Sequence, residues 1–191
     1  MLLFDGWPFD PLPQQSFDLI MADPAWESEM WSEKGYEKSP EAHYETMPLE
    51  AIKSLPVLDL AAPHCILWLW CRAPQLDLGF EVLKAWGFAF TTQGVWRKVT
   101  KNKKMRWGTG YVLRSTHEPF LIGKRGKPSS SRSIPSCFDG LAREHSRKPE
   151  EGYALAEKML PGARRVDLFS REKRPGWDNW GREKFKFNAE K

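Results

Sequence analysis

The sequence predicts an α/β fold of the doubly wound kind, a mostly parallel sheet with helices on both faces, and three observations carry that reading. Short apolar runs alternate along the chain with segments of helical periodicity. The first apolar run stops at an Asp-Pro pair, as a buried strand feeding a loop would. Two long polar stretches interrupt an otherwise regular alternation. At 191 residues the chain is expected to form one domain, 1–191, long enough to bury a continuous core.

Taken in order, Phe17-Asp18-Leu19-Ile20-Met21-Ala22 reads as a buried strand that ends at Asp23-Pro24. Residues 48–60 place Leu49, Ile52 and Leu55 at helical spacing, and residues 65–71 are strand-like in length and apolar continuity. Residues 73–86 return to helical spacing through Leu76, Phe80, Leu83 and Trp86, with Gly87 placed to stop the helix. Residues 88–99 and 117–123 read as further strands. Lys148-Pro149-Glu150-Glu151 opens a helix running to about Leu160, with proline early and acids in the first turn, where they complement the helix dipole. Residues 165–169 close the series as a strand. The interruptions are residues 27–42 and 100–114, polar and rich in Gly, Lys and Glu, and loops of such length usually serve function. Ser129-Ser130-Ser131 marks a third loop, and no internal repeat is present.

Composition narrows the function classes. Hydrophobic residues at 41% and charged residues at 28% match ordinary globular domains, and no apolar run approaches the roughly 18–20 residues of a membrane span. The first residues, Met1-Leu2-Leu3-Phe4-Asp5, lack the basic region of a secretory signal, so a cytoplasmic location is expected. Cys65, Cys71 and Cys137 form no CxxC pair, which argues against a disulfide framework or a zinc cluster, and no metal is expected. A net charge of +4 is mild, so a polyanionic partner depends on whether the basic residues cluster. Ten tryptophans is high for this length, and their apolar contexts assign most of them to the core.

In open α/β sheets ligands bind beyond the carboxyl ends of the strands, which directs attention to Asp23-Pro24-Ala25-Trp26. An adenine amino group is a poor nucleophile because its lone pair is delocalised into the ring. A catalyst must accept its two hydrogens and hold the nitrogen in line with a methyl donor. The Asp23 carboxylate can accept one hydrogen and the Pro24 carbonyl the other, while Trp26 offers a π face to an extruded base. Asp-Pro after a strand is also an ordinary turn and a neighbouring Trp an ordinary core residue, so these four residues alone leave both readings open.

Further segments extend the pattern: Tyr44-Glu45-Thr46-Met47, Leu67-Trp68-Leu69-Trp70, Gly94-Val95-Trp96-Arg97-Lys98, Thr116-His117-Glu118-Pro119, Ser146-Arg147-Lys148-Pro149-Glu150-Glu151 and Asp167-Leu168-Phe169-Ser170-Arg171. In order and spacing these, with the Asp-Pro loop, resemble the MT-A (MT-A70-like) family of adenine N(6)-methyltransferases of the bacterial or phage type. The resemblance implies a Rossmann-like class I methyltransferase fold in the permuted β-class order, catalytic loop first and cofactor strand last. It implies S-adenosylmethionine as cofactor. The family motif is Asp-Pro-Pro-Trp, and Ala25 stands here at the second proline. The groups assigned to chemistry survive, and the added backbone freedom, about 0.4–1 kcal/mol, is too small to abolish activity.

The resemblance also suggests where the cofactor is held. Lys148, at a helix N-terminus, would neutralise the methionyl carboxylate, a role that charge and dipole both favour. Asp23 would face the ammonium, Arg171 and Leu168 after and within the last strand the ribose side, and Asp5 the cofactor adenine. Family members place Asn-Gln after Trp-Gly, whereas Arg182-Glu183 follow Trp180-Gly181 here. Glu183 could still accept from ribose hydroxyls. Tyr44 aligns with an aromatic beside the substrate pocket.

Arg97-Lys98 with Lys101, Lys103, Lys104, Arg106 and Trp107 concentrate cations and an aromatic on one loop, and Lys124-Arg125-Lys127 with Arg132 add a second basic segment, expected near the same pocket. Such clusters supply phosphate attraction, with Trp107 available for stacking. The expected activity is therefore that of a site-specific DNA adenine methyltransferase. RNA as substrate and a catalytically silent nucleic-acid-binding paralogue stand as alternatives, and a homo-oligomer or protein partner is left open.

Overall fold

The computed structural model describes residues 6–27, 46–110, 112–144, 147–181 and 186. Its centre is a seven-stranded sheet: β1 (Phe17–Ala22), β2 (Ala61–Trp70), β3 (Ala89–Val99), β4 (His117–Arg125), β5 (Cys137–Leu141), β6 (Arg165–Leu168) and β7 (Trp177–Trp180). The spatial order is β5-β3-β4-β2-β1-β6-β7. β1 pairs in parallel with β2 and β6, β6 with β7, and β3 with β5. β4 runs antiparallel to both β2 and β3, so it alone is reversed among these strands. The mostly parallel α/β sheet expected from the sequence is the one observed.

The reversal has a local origin. Parallel neighbours need a crossover, usually a helix, whereas residues 100–116 carry no helical periodicity and simply return the chain beside β3. β1 lies deep in the sheet because its residues are apolar on both faces, with only Asp18 partly exposed.

Helices cover both faces. α1 (Leu49–Lys53) and α2 (Leu76–Ala85) pack Ile52, Val82 and Leu83 onto Ile20, Leu67 and Leu69. On the other face α3 (Glu150–Met159) packs Tyr153, Ala156 and Met159 onto Leu19, Met21, Trp68 and Trp70. Alternation along β2 drives this division, since Cys65, Leu67 and Leu69 face one core and Ile66, Trp68 and Trp70 the other. Trp68 stacks on Phe120 at 4.0 Å, and Trp70 meets Trp96 edge-on. The tryptophans of these strands are thus core residues, as their contexts suggested. Cys65 and Cys71 are also buried, and burial pushes both thiols up to about 12.

Several boundaries differ from expectation. The helix predicted over 48–60 ends at Lys53 and resumes only as a 3-10 turn at Val57–Asp59, because Pro56 cannot continue the hydrogen-bond ladder. The helix predicted from residue 73 opens as a 3-10 turn, Ala73–Gln75, and ends as foreseen at Gly87, whose φ is +75°. β5 and β7 were not foreseen. They are short, partly exposed edge strands whose sequences, CFDGL and WDNW, lack an apolar run. Among the described residues no helix is long and apolar enough to cross a membrane.

Candidate active site

The carboxyl edge of the sheet gathers the charged groups. Asp23 follows β1 directly, and its backbone N–H donates to the Leu168 carbonyl at 3.4 Å, which holds it between the ends of β1 and β6. Lys148 stands just before α3, on the opposite face from α1 and α2, and its ammonium donates to Asp23 Oδ2 at 2.6 Å. The same ammonium lies 2.8 Å from Glu118 Oε1, and Lys98 Nζ lies 2.8 Å from Glu118 Oε2. Lys98 belongs to the end of β3 and Glu118 to the start of β4. Reversal of β4 is what brings a strand beginning to the edge where the parallel strands end.

The result is an alternating chain Asp23–Lys148–Glu118–Lys98, with the Lys148 side chain only 7% exposed. Burial works to lower Lys148, but Asp23 and Glu118 outweigh it and hold the ammonium above its ordinary value. Burial likewise works to raise Glu118, yet Lys148 and Lys98 together carry it down to about 2. Asp23 moves the other way. Burial pushes it up, Lys148 opposes, and the Glu118 charge adds to the rise. A lysine shared by two carboxylates leaves the charge on the one that has a second lysine, and Asp23 is the more readily protonated of the two.

Beside Asp23 opens a cleft lined by Arg147, Lys148 and Tyr153 from the segment around the start of α3 and by Asp167, Phe169, Ser170, Arg171 and Glu172 from the end of β6 and beyond. β6 ends at Leu168, and Phe169 turns the chain at a φ of +63°, a conformation that non-glycine residues adopt only where surroundings enforce it. Ser170 N–H donates to the Trp180 carbonyl at 2.9 Å. Gly181 passes so close that a Cβ there would sit 2.7 Å from the Ser170 carbonyl oxygen. Asp167 Oδ2 accepts from the Tyr153 hydroxyl at 2.9 Å, and burial raises this carboxyl to about 7 despite that bond.

The two walls are clamped together. Glu172 accepts from Arg147 and from Arg174, each at 2.7 Å, while Glu150 in the first turn of α3 accepts from Arg143 at 2.7 Å and also pairs with Arg174. The Arg174 guanidinium stacks 3.7 Å over the Tyr153 ring. Arg143 also donates to the Lys148 carbonyl, fixing the segment that presents Lys148.

The expected site residues fare unequally. Asp23, Lys148 and Arg171 meet at the cleft, while Leu168 lies in the core with its carbonyl bonded to Asp23 N–H. The Pro24 carbonyl accepts from Trp26 N–H at 2.8 Å and the Ala25 carbonyl from Met47 N–H at 2.9 Å, so both are anchored. Trp26 requires a correction. It is 4% exposed within the core that contains Ile52, and among the described residues its indole N–H has no partner, so its ring is packing and not an open platform. Lys103, Lys104 and Arg106 are exposed on the loop between β3 and β4, where Trp107 is 55% exposed beneath the Arg114 guanidinium. Asp5, Tyr44, Arg182 and Glu183 lie outside the described residues.

The second basic segment is also corrected. Lys124 and Arg125 pair with Ile66 and Cys65 near the start of β2, on the edge away from Asp23. Arg125 moreover donates to the carbonyls of Leu58 and Ala61 at 3.0 and 2.7 Å, so it ties structure together. Arg97 and Lys98, expected among the loop cations, instead lie at the end of β3 and are ion-paired, Arg97 with Asp139 and Lys98 with Glu118, while Glu118 and Glu172 were not singled out as site residues. Glu118 did stand within the quoted segment Thr116-His117-Glu118-Pro119, a charge just before the apolar run of β4. Among the described residues no group of His, Cys, Asp and Glu is placed to hold a metal.

Comparison with known proteins places this geometry. Residues 17–183 match the MT-A70 family profile. Type II methyltransferase M.MunI of Mycoplasma sp is 30% identical over 197 residues, covering 92% of this chain and 81% of that protein. A putative N(6)-adenosine-methyltransferase MT-A70-like protein of Medicago truncatula is 34% identical over 86% of this chain, and the N(6)-adenosine-methyltransferase catalytic subunit METTL3 of Homo sapiens 31% identical over 86%. The chain spans only 26% and 28% of those two proteins.

Proposed function

Because the chain belongs to the MT-A70 family of S-adenosylmethionine-dependent methyltransferases, we propose that it methylates the exocyclic amino group of adenine in DNA. The observation that carries the reading is the place of Asp23: at the end of a central strand, on the rim of a cleft, sharing a buried lysine with a second carboxylate. The cleft suits the cofactor's polar end. Lys148 and Arg171 offer cations to a carboxylate, and Asp23 and Asp167 offer acceptors to an ammonium.

S-adenosylmethionine supplies an electrophilic methyl group on a sulfonium, which departs as a neutral thioether. The chain's own residues prepare the nucleophile. Asp23 accepts one amino hydrogen, and the Pro24 carbonyl, which has a second lone pair beyond the one used by Trp26 N–H, accepts the other. Drawing on both hydrogens returns lone-pair density to the nitrogen and orients it, a contribution of placement and electrostatics. When the new N–C bond forms the nitrogen carries a surplus proton, and the hydrogen bond to Asp23 is its exit. The raised pKa of that carboxyl suits it to receive one. Trp26 contributes by packing beneath the loop and fixing the Pro24 carbonyl.

The match to type II methyltransferase M.MunI, which covers 81% of that protein, supports DNA as the substrate. The test is transfer of labelled methyl to adenine-containing DNA and RNA oligonucleotides beside an Asp23→Ala control. Label on DNA, lost by about 10³-fold or more in the control, is expected. Label on RNA alone would reassign the substrate, and none on either would leave the silent-paralogue reading.

A further inference from the structure

The loop between β3 and β4 carries a feature that phosphate attraction does not use. Val112 and Leu113 are 95% and 85% exposed, the most exposed large apolar side chains in the described structure. They project from a braced tip. A bridge between Val99 and Met105 and a bond from Arg106 N–H to the Lys98 carbonyl, 2.8 Å, form the lower part of the arm. Above it Gly108 N–H donates to Ser115 O at 2.6 Å and Ser115 N–H to Thr109 O at 2.9 Å. Gly110 passes so near the Leu113 carbonyl that a Cβ there would lie 2.0 Å from its oxygen, so the turn requires glycine. Arg114 donates to the Gly108 carbonyl at 3.0 Å and covers the Trp107 ring.

We propose that Val112 and Leu113 form a wedge that inserts into the base stack of a bound DNA duplex and supports extrusion of the target adenine. The proposal rests on DNA being the substrate. Three observations argue for it. Residues 100–116 hold Lys101, Lys103, Lys104, Arg106 and Arg114 and no acidic residue, so the apolar tip sits among cations that suit a polyanion. The same charge opposes a second copy of this chain, itself net +4. The reach is also suitable. Leu113 lies five residues before Glu118, a path of at most about 18 Å, and Glu118 connects to Asp23 through Lys148 at 2.8 and 2.6 Å. The path therefore keeps the tip within about one helical turn, roughly 34 Å, of an adenine held at Asp23. Apolar side chains inserted between base steps unstack and kink a duplex, and a preformed turn does so at low entropic cost.

The experiment uses the whole chain carrying Val112→Ser with Leu113→Ser, exposed positions whose change leaves the thermal midpoint unmoved. Methyl transfer is measured on a duplex and on its adenine-bearing strand alone, with 2-aminopurine fluorescence at the target position reporting extrusion. The expected result is a fall of roughly tenfold or more in kcat/KM on duplex, with loss of the fluorescence rise, and less than about a twofold change on the single strand. Leu113→Phe, which keeps an apolar wedge, should retain duplex activity. An equal fall on both substrates, or none on either, overturns the wedge. Wild-type self-association abolished by the double substitution also overturns it, by showing the tip to be a protein interface. Absence of wild-type transfer to any DNA overturns the substrate assignment separately, and the wedge with it.

Discussion

Glu118 and Arg125 stand near opposite ends of one strand, β4, and their partners differ in kind. Glu118 is held by two ammonium groups, one of them shared with Asp23. Arg125 is held by two backbone carbonyls and neighbours Lys124 and Lys127 at the far edge of the sheet. Both ends carry charges, and the sequence placed a basic cluster on either side of this strand. Charge at the carboxyl edge is arranged against other side chains and a cleft, where it can be redistributed when a ligand arrives. Charge at the amino edge is spent on tying β4 to the connection before β2.

The largest separation between the two ends should appear in catalysis. Glu118→Gln removes one of the two carboxylates that share Lys148 and leaves Asp23 to it, which draws Asp23 into a tighter ion pair. Methyl transfer is expected to fall by about 10- to 100-fold in kcat with cofactor affinity changed far less. A fall confined to cofactor KM would place Glu118 in cofactor binding instead. Arg125→Ala should do the reverse. Loss of two bonds to buried carbonyls costs about 1–3 kcal/mol in chemical denaturation, with turnover per folded molecule unchanged.

A third comparison sets Asp167 against Glu118 as buried acids of opposite shift. Asp167 is raised from its ordinary value to about 7, so it favours the folded state at low pH, and that contribution is lost as pH rises from about 4 through about 7. Glu118, lowered to about 2, contributes stability above its ordinary value of 4.5 that is lost as pH falls toward 2. Asp167→Asn keeps an acceptor for Tyr153 and should flatten the unfolding free energy between pH 4 and 7, gaining on the order of 2 kcal/mol above pH 7. A wild-type profile that is already flat over that window would contradict the assignment. The smallest effect concerns nucleic-acid affinity. Lys103→Ala with Lys104→Ala should reduce the slope of log binding constant against log salt by about 1–2, whereas Lys124→Ala with Lys127→Ala should leave it unchanged. Equal slopes from the two pairs would dissolve the distinction between the edges.

Much of this molecule is legible in its sequence. β1, β2, β3, β4 and β6 fall where apolar runs stand, and the helices where Ile52, Leu83 and the acids of Glu150-Glu151 recur at helical spacing. Asp23 and Lys148 were picked out separately, Asp23 from a strand ending and Lys148 by its resemblance to a family position at a helix N-terminus, and they meet at 2.6 Å across 125 residues of sequence. Three things escaped. β5 and β7 are edge strands with one partner each and need no apolar run. Trp26 was read by its chemistry, and only packing decides whether an indole is wall or platform. The basic segments were judged by proximity in sequence, a poor guide once a strand lies between them.

What the sequence determined by itself is local: where an apolar periodicity begins and stops, which turn can bear Asp23, and that residues 100–116 hold cations without acids. Each depends on near neighbours along the chain, and period, proline and charge report it directly. The tertiary structure alone decided which ends of strands share an edge. Antiparallel pairing of β4 with both β2 and β3 brings Glu118 to Lys148 and carries Arg125 away. The helix-free connection 100–116 turns β4 back, but which strands it then lies between follows from pairings among residues distant in sequence, settled by packing the whole sheet.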